Sequence, residues 1–390
     1  MNKTTFYISL TQENSVPSAY IKLISQIDNS VFFNDTKKDE PGDSLNAHSI
    51  SLFPDYLEPH FRNHKKLCIK KIPQLKITGY AIKIDSPGDI KTFLQSNYKK
   101  KFRNNINRFL NRFETCFTPT YKMFYGKISQ KEYDFHMSEL KTMLEKRFNQ
   151  KNTKTHVLLD WEYYLEDTFP LINSKEASMF VIYVNQKPVH ICINFHRKDV
   201  MFISVPSYDI DFEKFALGNI SIYKLLEWSL AQSCKLLDMA YGDLEYKRRW
   251  SNYFYGFEQH ILYPKGNILK KIIALREVLL INLKNKLKEI NADGIRKKIK
   301  NNLNKKAKNN SFSYSLAEIE NINLSNFKKI NFIENASNEF GLRKIVFDFL
   351  YSHRLNMNEI AVYKPTEKNT FYLNSKGSLY KILIRNGKTK

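Results

Sequence analysis

The stretch that decides the fold runs from residue 179 to residue 263. It opens with three runs rich in β-branched and aromatic residues: MFVIYV (179–184), VHICINF (189–195) and VMFISV (200–205). Between them stand Asn185-Gln186-Lys187-Pro188 and His196-Arg197-Lys198-Asp199, both polar and of turn composition. Short apolar runs separated by such turns predict an antiparallel three-stranded meander. A loop, Pro206–Gly218, then leads to a helix over 219–233, with Leu225, Leu226 and Trp228 expected inside. Leu236–Met239 reads as a short buried strand, Leu244–Trp250 as a helical turn and Phe257–Tyr263 as a last strand.

Upstream, Ile77–Ile84 reads as a strand ended by Ser86-Pro87-Gly88. Helices are predicted over Asp89–Gln95 and Asn97–Phe113. On the second, Phe102, Ile106, Phe109, Leu110 and Phe113 recur at three- and four-residue spacing and form one apolar stripe. Thr118–Tyr125 reads as a strand. Ser129 and Glu132 make a capping box for a helix reaching about Phe148, and Asp160 is placed to cap another ending near Ile172. The first sixty residues carry a weak pattern: Thr5–Leu10 reads as a strand and Asn34–Ser44 as a polar loop.

The 390 residues are 42% apolar and 14% aromatic, enough to bury a sizeable core, so global disorder is excluded. No apolar run of about 18 residues exists, so no membrane-spanning helix is expected, and the N-terminus lacks the apolar core of a secretory leader. Cys68, Cys116, Cys192 and Cys234 are far apart and form no C-x-x-C, which predicts neither disulfides nor zinc and makes a reducing cytoplasm the default. The net charge of +23 is regional. Residues 97–112 hold Lys99, Lys100, Lys101, Arg103, Arg108 and Arg112 with no acid. Residues 265–308 hold 14 Lys and Arg against Glu277, Glu289 and Asp293, a net of +11. That segment is also amphipathic, interrupted at Asp293-Gly294, with Ile295, Ile299 and Leu303 resuming the spacing. It reads as a helical arm packed on the body, with an anionic membrane surface or an acidic partner as the sharper alternative. Residues 311–390 read as a small α+β module with a helix over 339–351 and strands at 359–363, 370–373 and 380–384.

The order of strands and helices over 179–263, together with Asp238, Gly242, Asp243, Tyr246 and Lys247 in the pattern D-x-x-x-G-D-x-x-Y-K, resembles a GNAT acyltransferase domain of the BioF/CelD-like branch, related to the FemAB aminoacyl transferases. The basic helix at 98–106 resembles the upstream half of the same branch, so the likeness spans about 75–263. It implies an α+β fold of two fused GNAT-like lobes with mixed sheets flanked by helices. The expected divisions are a degenerate N-terminal lobe (1–150), the acyltransferase lobe (151–264), the basic arm (265–310) and the C-terminal module (311–390). The implied activity moves an acyl group from an acyl-CoA-type donor to an amine or hydroxyl of a sugar, lipid-linked or envelope-related acceptor. The implied place is the cytoplasm or the inner face of the membrane.

Acyl transfer from a thioester needs a cradle for a pyrophosphate-bearing donor, a proton relay and donors for the developing oxyanion. Lys214, Gly218 and Asn219 stand where a loop becomes a helix, a place suited to pyrophosphate; the alternative is a plain loop-to-helix hinge. The best-known GNAT pattern has a second small residue where this chain has Ile220. Asp243, Tyr246 and Lys247 follow a buried strand and are the expected catalytic group; the alternative is a salt-bridged turn. Lys101, Arg103, His190 and Tyr208 are the expected substrate contacts. His60 and His64 lack an accompanying carboxylate motif, so no metal is read there. Two other functions stay open: a nucleic-acid-binding protein using 97–112 and 265–308, and an inactive GNAT-shaped scaffold.

Overall fold

The chain begins as a short strand, β1 (Asn2–Thr5), and turns at once into helix α1 (Phe6–Thr11). The strand expected over Thr5–Leu10 is thus a helix: Phe6 and Leu10, one turn apart, are both buried with Tyr7 against the sheet. The structure, a computed structural model, describes residues 1–11, 13, 15–35, 46–86, 88–150, 156–289, 313–320, 322–332, 341–365 and 369–385. Most of the polar loop at 34–44 and the interruption expected at Asp293-Gly294 lie outside the described residues.

Strands β2 (Tyr20–Ser25), β3 (Val31–Asn34), β4 (His48–Pro54), β5 (Leu57–Phe61) and β6 (Leu67–Lys83) follow. At the N-cap of α2 (Ile90–Asn97), the Asp89 carboxylate accepts from the N–H groups of Lys91 and Thr92. Helix α3 (Lys100–Cys116) buries Ile106, Leu110 and Phe113, members of the expected stripe. After β7 (Thr120–Phe124), the capping box forms: the Glu132 N–H donates to Ser129 Oγ at 3.3 Å and the Ser129 N–H to Glu132 Oε2 at 3.2 Å. It opens α4 (Gln130–Gln150), followed by α5 (His156–Leu159) and α6 (Trp161–Asn173).

The meander is present as β8 (Ala177–Val184), β9 (Lys187–Arg197) and β10 (Val200–Tyr208). Asn185 and Gln186 take positive φ of 49° and 62°, the backbone that a tight two-residue hairpin needs. A 3-10 turn (Ile210–Phe215) leads to α7 (Leu217–Ala231), β11 (Leu236–Tyr241), α8 (Glu245–Trp250) and β12 (Tyr253–Pro264). On α7, Leu225 and Leu226 are buried and Trp228 is half-buried. The arm is α9 (Ile268–Glu289). The last segment comprises β13 (Ser313–Ile319), β14 (Lys328–Ile330), α10 (Leu342–His353), β15 (Ile360–Lys364), β16 (Thr370–Ser375) and β17 (Ser378–Arg385).

One nine-stranded sheet, in the order β1-β4-β12-β6-β11-β10-β9-β8-β7, runs through both halves of the body. β6 inserts between β11 and β12, and β7 pairs with β8. Strands from before and after residue 150 thus share a single mixed sheet. Alternate residues feed opposite cores: Phe180 and Ile182 one face, Met179 and Val181 the other. Burial on both faces explains why these strands read as unbroken apolar runs.

The C-terminal segment forms its own five-stranded sheet, β13-β17-β16-β15-β14, but α10 packs into the main core. Phe347 on α10 meets the rings of Phe212 at 4.5 Å and Phe117 at 5.2 Å. Beside it, Arg343 donates to Asp211 at 2.6 Å and to Asp209 at 2.5 Å, with the guanidinium almost fully buried. Lys344 pairs with Glu213 at 3.1 Å, and Lys214 with Asp348 at 3.2 Å. Removing Arg343 leaves two carboxylates in a poorly hydrated place. Arg343→Ala is expected to lower the free energy of unfolding by about 3–5 kcal/mol. Arg248→Ala, which breaks the exposed pair with Asp243, is expected to cost about 0–1 kcal/mol. Denaturant titration of both variants checks the contrast; equal losses would mean that the α10 contact is not a buried clamp.

Candidate active site

β10 and β11 pair in parallel only where Val200–Phe202 faces Leu236–Asp238. Beyond that point they part. The register of β10 against β9 shifts between Ile203 and Val205, and that of β11 against β6 shifts between Asp238 and Tyr241. Ala240, within the second shift, has φ of 61°. A crevice at the carboxyl ends of diverging parallel strands is where sheets of this kind hold ligands. Here it opens into a cavity of about 650 Å³, walled by β10, β11, the first turn of α7, α8, the end of α4 and α1.

The divergence is held by Asp238, which is fully buried at the last paired position. Its carboxylate accepts from the Ala240 N–H at 2.7 Å, which fixes the kink directly. It also accepts from Tyr255 at 2.8 and 2.7 Å, Tyr7 at 3.2 Å and Tyr56 at 3.3 Å. Burial pushes its pKa up to about 6 in spite of these four donors.

Lys247, from α8, is 7% exposed and borders the cavity. Its ammonium donates to the Tyr241 carbonyl at 2.7 Å. Burial lowers its pKa to about 8, with Asp238 pulling the other way, so it is still mostly cationic at neutral pH. Its neighbour Tyr246 lines the cavity with a phenol that burial raises to about 12, so it stays protonated at neutral pH. His190 is fully buried beside the cavity, and neither ring nitrogen has a hydrogen-bond partner among the described residues. Burial, then the positive charge of Arg147, lowers its pKa to about 3, so the ring is neutral. Arg147 itself lies over the Tyr208 ring at 5.1 Å and donates to the Pro206 carbonyl at 3.4 Å. Asp160 is the one carboxylate among the described lining residues.

The first turn of α7 supplies Ala216, Gly218 and Asn219 to the wall. The Asn219 N–H already donates to the Ala216 carbonyl at 2.8 Å; the N–H groups ahead of it have no acceptor within the helix. A Cβ built on Gly218 would meet nothing within 4 Å, so the space above its backbone is open to a ligand. The Asn219 side chain is held by the Trp250 indole N–H at 3.0 Å.

Of the residues expected from sequence, Lys247, Tyr246, Gly218, Asn219, His190 and Tyr208 meet in this cavity. Four are not among its lining residues. Asp243 is exposed, accepting from the Tyr80 hydroxyl at 2.8 Å and pairing with Arg248. Lys214 is spent on Asp348. Lys101 is exposed on α3, and Arg103 donates to the carbonyls of Gln95 and Tyr98, closing the end of α2. Arg147, Tyr7, Thr11 and Tyr164 line the cavity without having been foreseen. Asp160 was expected as a cap; it occupies the N-cap position of α6 but makes no side-chain capping bond.

Residues 100–248, from α3 to α8, match the acetyltransferase (GNAT) domain. Over those 149 of 390 residues the chain is similar to a GNAT acetyltransferase domain. No curated protein matches the chain significantly. Among solved structures, FemX is 10% identical over 58% of this chain and 74% of that one, with a TM-score of 0.41. The C-terminal domain of a putative lysylphosphatidylglycerol synthetase from Agrobacterium fabrum is 10% identical over 60% and 72%, with a TM-score of 0.38. The L-PGS of Bacillus licheniformis is 12% identical over 58% and 71%, at 0.35. Likenesses of this size assign neither substrate nor site residues.

The cavity depends on Asp238, and its titration gives a test. A carboxyl whose pKa is higher folded than unfolded holds its proton more tightly in the folded state. Its contribution is full below about pH 4 and is lost as pH rises through about 6, a loss of roughly 3 kcal/mol for such a shift. Measured against Asp238→Asn, the wild type should lose stability between pH 4 and 7 while the variant does not. Parallel pH curves for the two proteins would show that Asp238 is not the strained carboxyl described above.

Proposed function

We propose that the cavity transfers an acyl group from an acyl-CoA-type thioester to an amine or hydroxyl of an envelope-related acceptor. The observation that carries this reading is the meeting of the Lys247 ammonium and the open first turn of α7 in one cavity, between two parted strands of a GNAT domain. The N–H groups of that turn suit the donor's pyrophosphate, and Gly218 lets it approach the backbone. The acyl chain then lies toward Phe202, Ile222, Leu225 and Met239, the apolar part of the lining.

The acceptor nitrogen or oxygen attacks the thioester carbonyl. A C–N or C–O bond forms, the C–S bond breaks, and the sulfur leaves with the electron pair. Negative charge that develops on the carbonyl oxygen is met by Lys247, which keeps N–H donors beyond the one given to Tyr241. The Tyr246 hydroxyl donates a hydrogen bond to the departing thiolate, which takes its proton from solvent. Asp160 receives the proton released by the acceptor and returns it through solvent. Arg147 neutralises a second anionic group, and neutral His190 offers a hydrogen bond to a polar substituent of the acceptor. The four free cysteines accord with action in a reducing compartment, where acyl-CoA is available.

Lys247→Met keeps the bulk of the side chain and deletes a buried charge, so it is expected to hold or raise the melting temperature. The acyl-transfer rate should fall on the order of 10²-fold or more. Asp243→Asn should retain near-full rate. Because the cation is the working form, the wild-type rate should decline as pH rises through about 8. A rate that climbs through that range would make Lys247 a base instead. Gly218→Ala meets no protein atom, so it should fold normally and bind acyl-CoA at least several-fold more weakly. Unchanged donor affinity would remove the donor from this turn.

A further inference from the structure

Helix α9 is buried along one side and apolar along the other. Ala274, Glu277 and Ile281 face the sheet, and Glu277 is tied to Lys3 at 2.8 and 2.9 Å. Asn285 fastens the far end, donating to the Pro73 carbonyl at 2.7 Å and accepting from the Leu75 N–H at 3.2 Å. The outward side carries Ile268, Leu269, Ile272, Leu279, Leu283 and Leu287, exposed by 72, 74, 58, 69, 53 and 46%. At 3.6 residues per turn, these six fall within an arc of about 100°, roughly opposite the buried residues, and exposed Arg276 and Lys286 share that arc. An exposed apolar face set with long cationic side chains marks an interaction surface.

Charge decides the occupant. The helix carries Lys270, Lys271, Arg276, Lys284, Lys286 and Lys288 against Glu277 and Glu289, and Glu277 is already neutralised. A second copy would bring the same positive face against itself. The chain just beyond the helix, with Arg296, Lys297, Lys298 and Lys300 against Asp293, is also of the same sign. No described helix is long and apolar enough to cross a membrane. We propose that α9 lies flat on an anionic lipid surface, its leucines and isoleucines in the acyl boundary and its lysines at the headgroups. This inference is independent of the roles assigned in the cavity.

The test is co-sedimentation of the full chain with phosphatidylcholine vesicles and with vesicles that also contain phosphatidylglycerol. The protein is expected to bind the anionic vesicles and not the neutral ones. Leu279→Glu combined with Leu283→Glu should weaken that binding about tenfold or more. Both side chains are exposed, so the melting temperature should not move, and transfer to a soluble acceptor should continue. Absence of vesicle binding by the wild type overturns the proposal. So does full binding by the double variant, which would reduce the contact to charge alone, or a dimer in sedimentation velocity that the double substitution abolishes.

Discussion

The architecture depends on one desolvated carboxylate. Asp238 closes the last parallel pair between β10 and β11, and its bond to the Ala240 N–H turns β11 away at that point. Three tyrosines from three places, α1, the β4–β5 connection and β12, converge on it. Burying a carboxylate is costly unless it is surrounded by donors, and the same donors fix where these elements sit. The cavity is the space opened by the kink, so the packing of the first sixty residues and the shape of the site are a single problem.

The meander, α7 and the capping box were legible because each is a local pattern: period-two apolar runs, a helical stripe, a serine three residues before a glutamate. Six of ten expected site residues meet in the cavity for a related reason, since loop-to-helix junctions and strand ends are visible in sequence. Asp243 shows where local reasoning fails. Spacing of four residues aligns side chains only within a helix, and α8 starts at Glu245, after Gly242 with its φ of 101°. Lys247 therefore turns inward and Asp243 outward. Arg147 and Tyr7 reach the cavity from α4 and α1, and no periodicity announces a contact made across the whole sheet. The insertion of β6 between β11 and β12 is equally non-local.

The basic excess divides by use. Some cations serve the fold: Arg103 and Arg112 donate to backbone carbonyls, and Arg343 is locked between two aspartates. Lys247 and Arg147 border the cavity. Many of the rest flank the apolar face of α9 or stand exposed on α3. A composition figure cannot separate these roles; burial and partners do.

The Arg343 clamp has a consequence for the order in which the protein is made. The turn that opens the α7 wall ends at Phe215, yet the side chain that steadies Asp209 and Asp211 is encoded well over a hundred residues later. At about 5–20 residues per second the gap is on the order of ten seconds. During that interval the nascent turn holds three acids, Asp209, Asp211 and Glu213, with neither Arg343 nor Lys344 beside it. The α7 wall is thus steadied by a segment synthesised well after it, and a chain interrupted before α10 would carry the cavity's lining residues without that support.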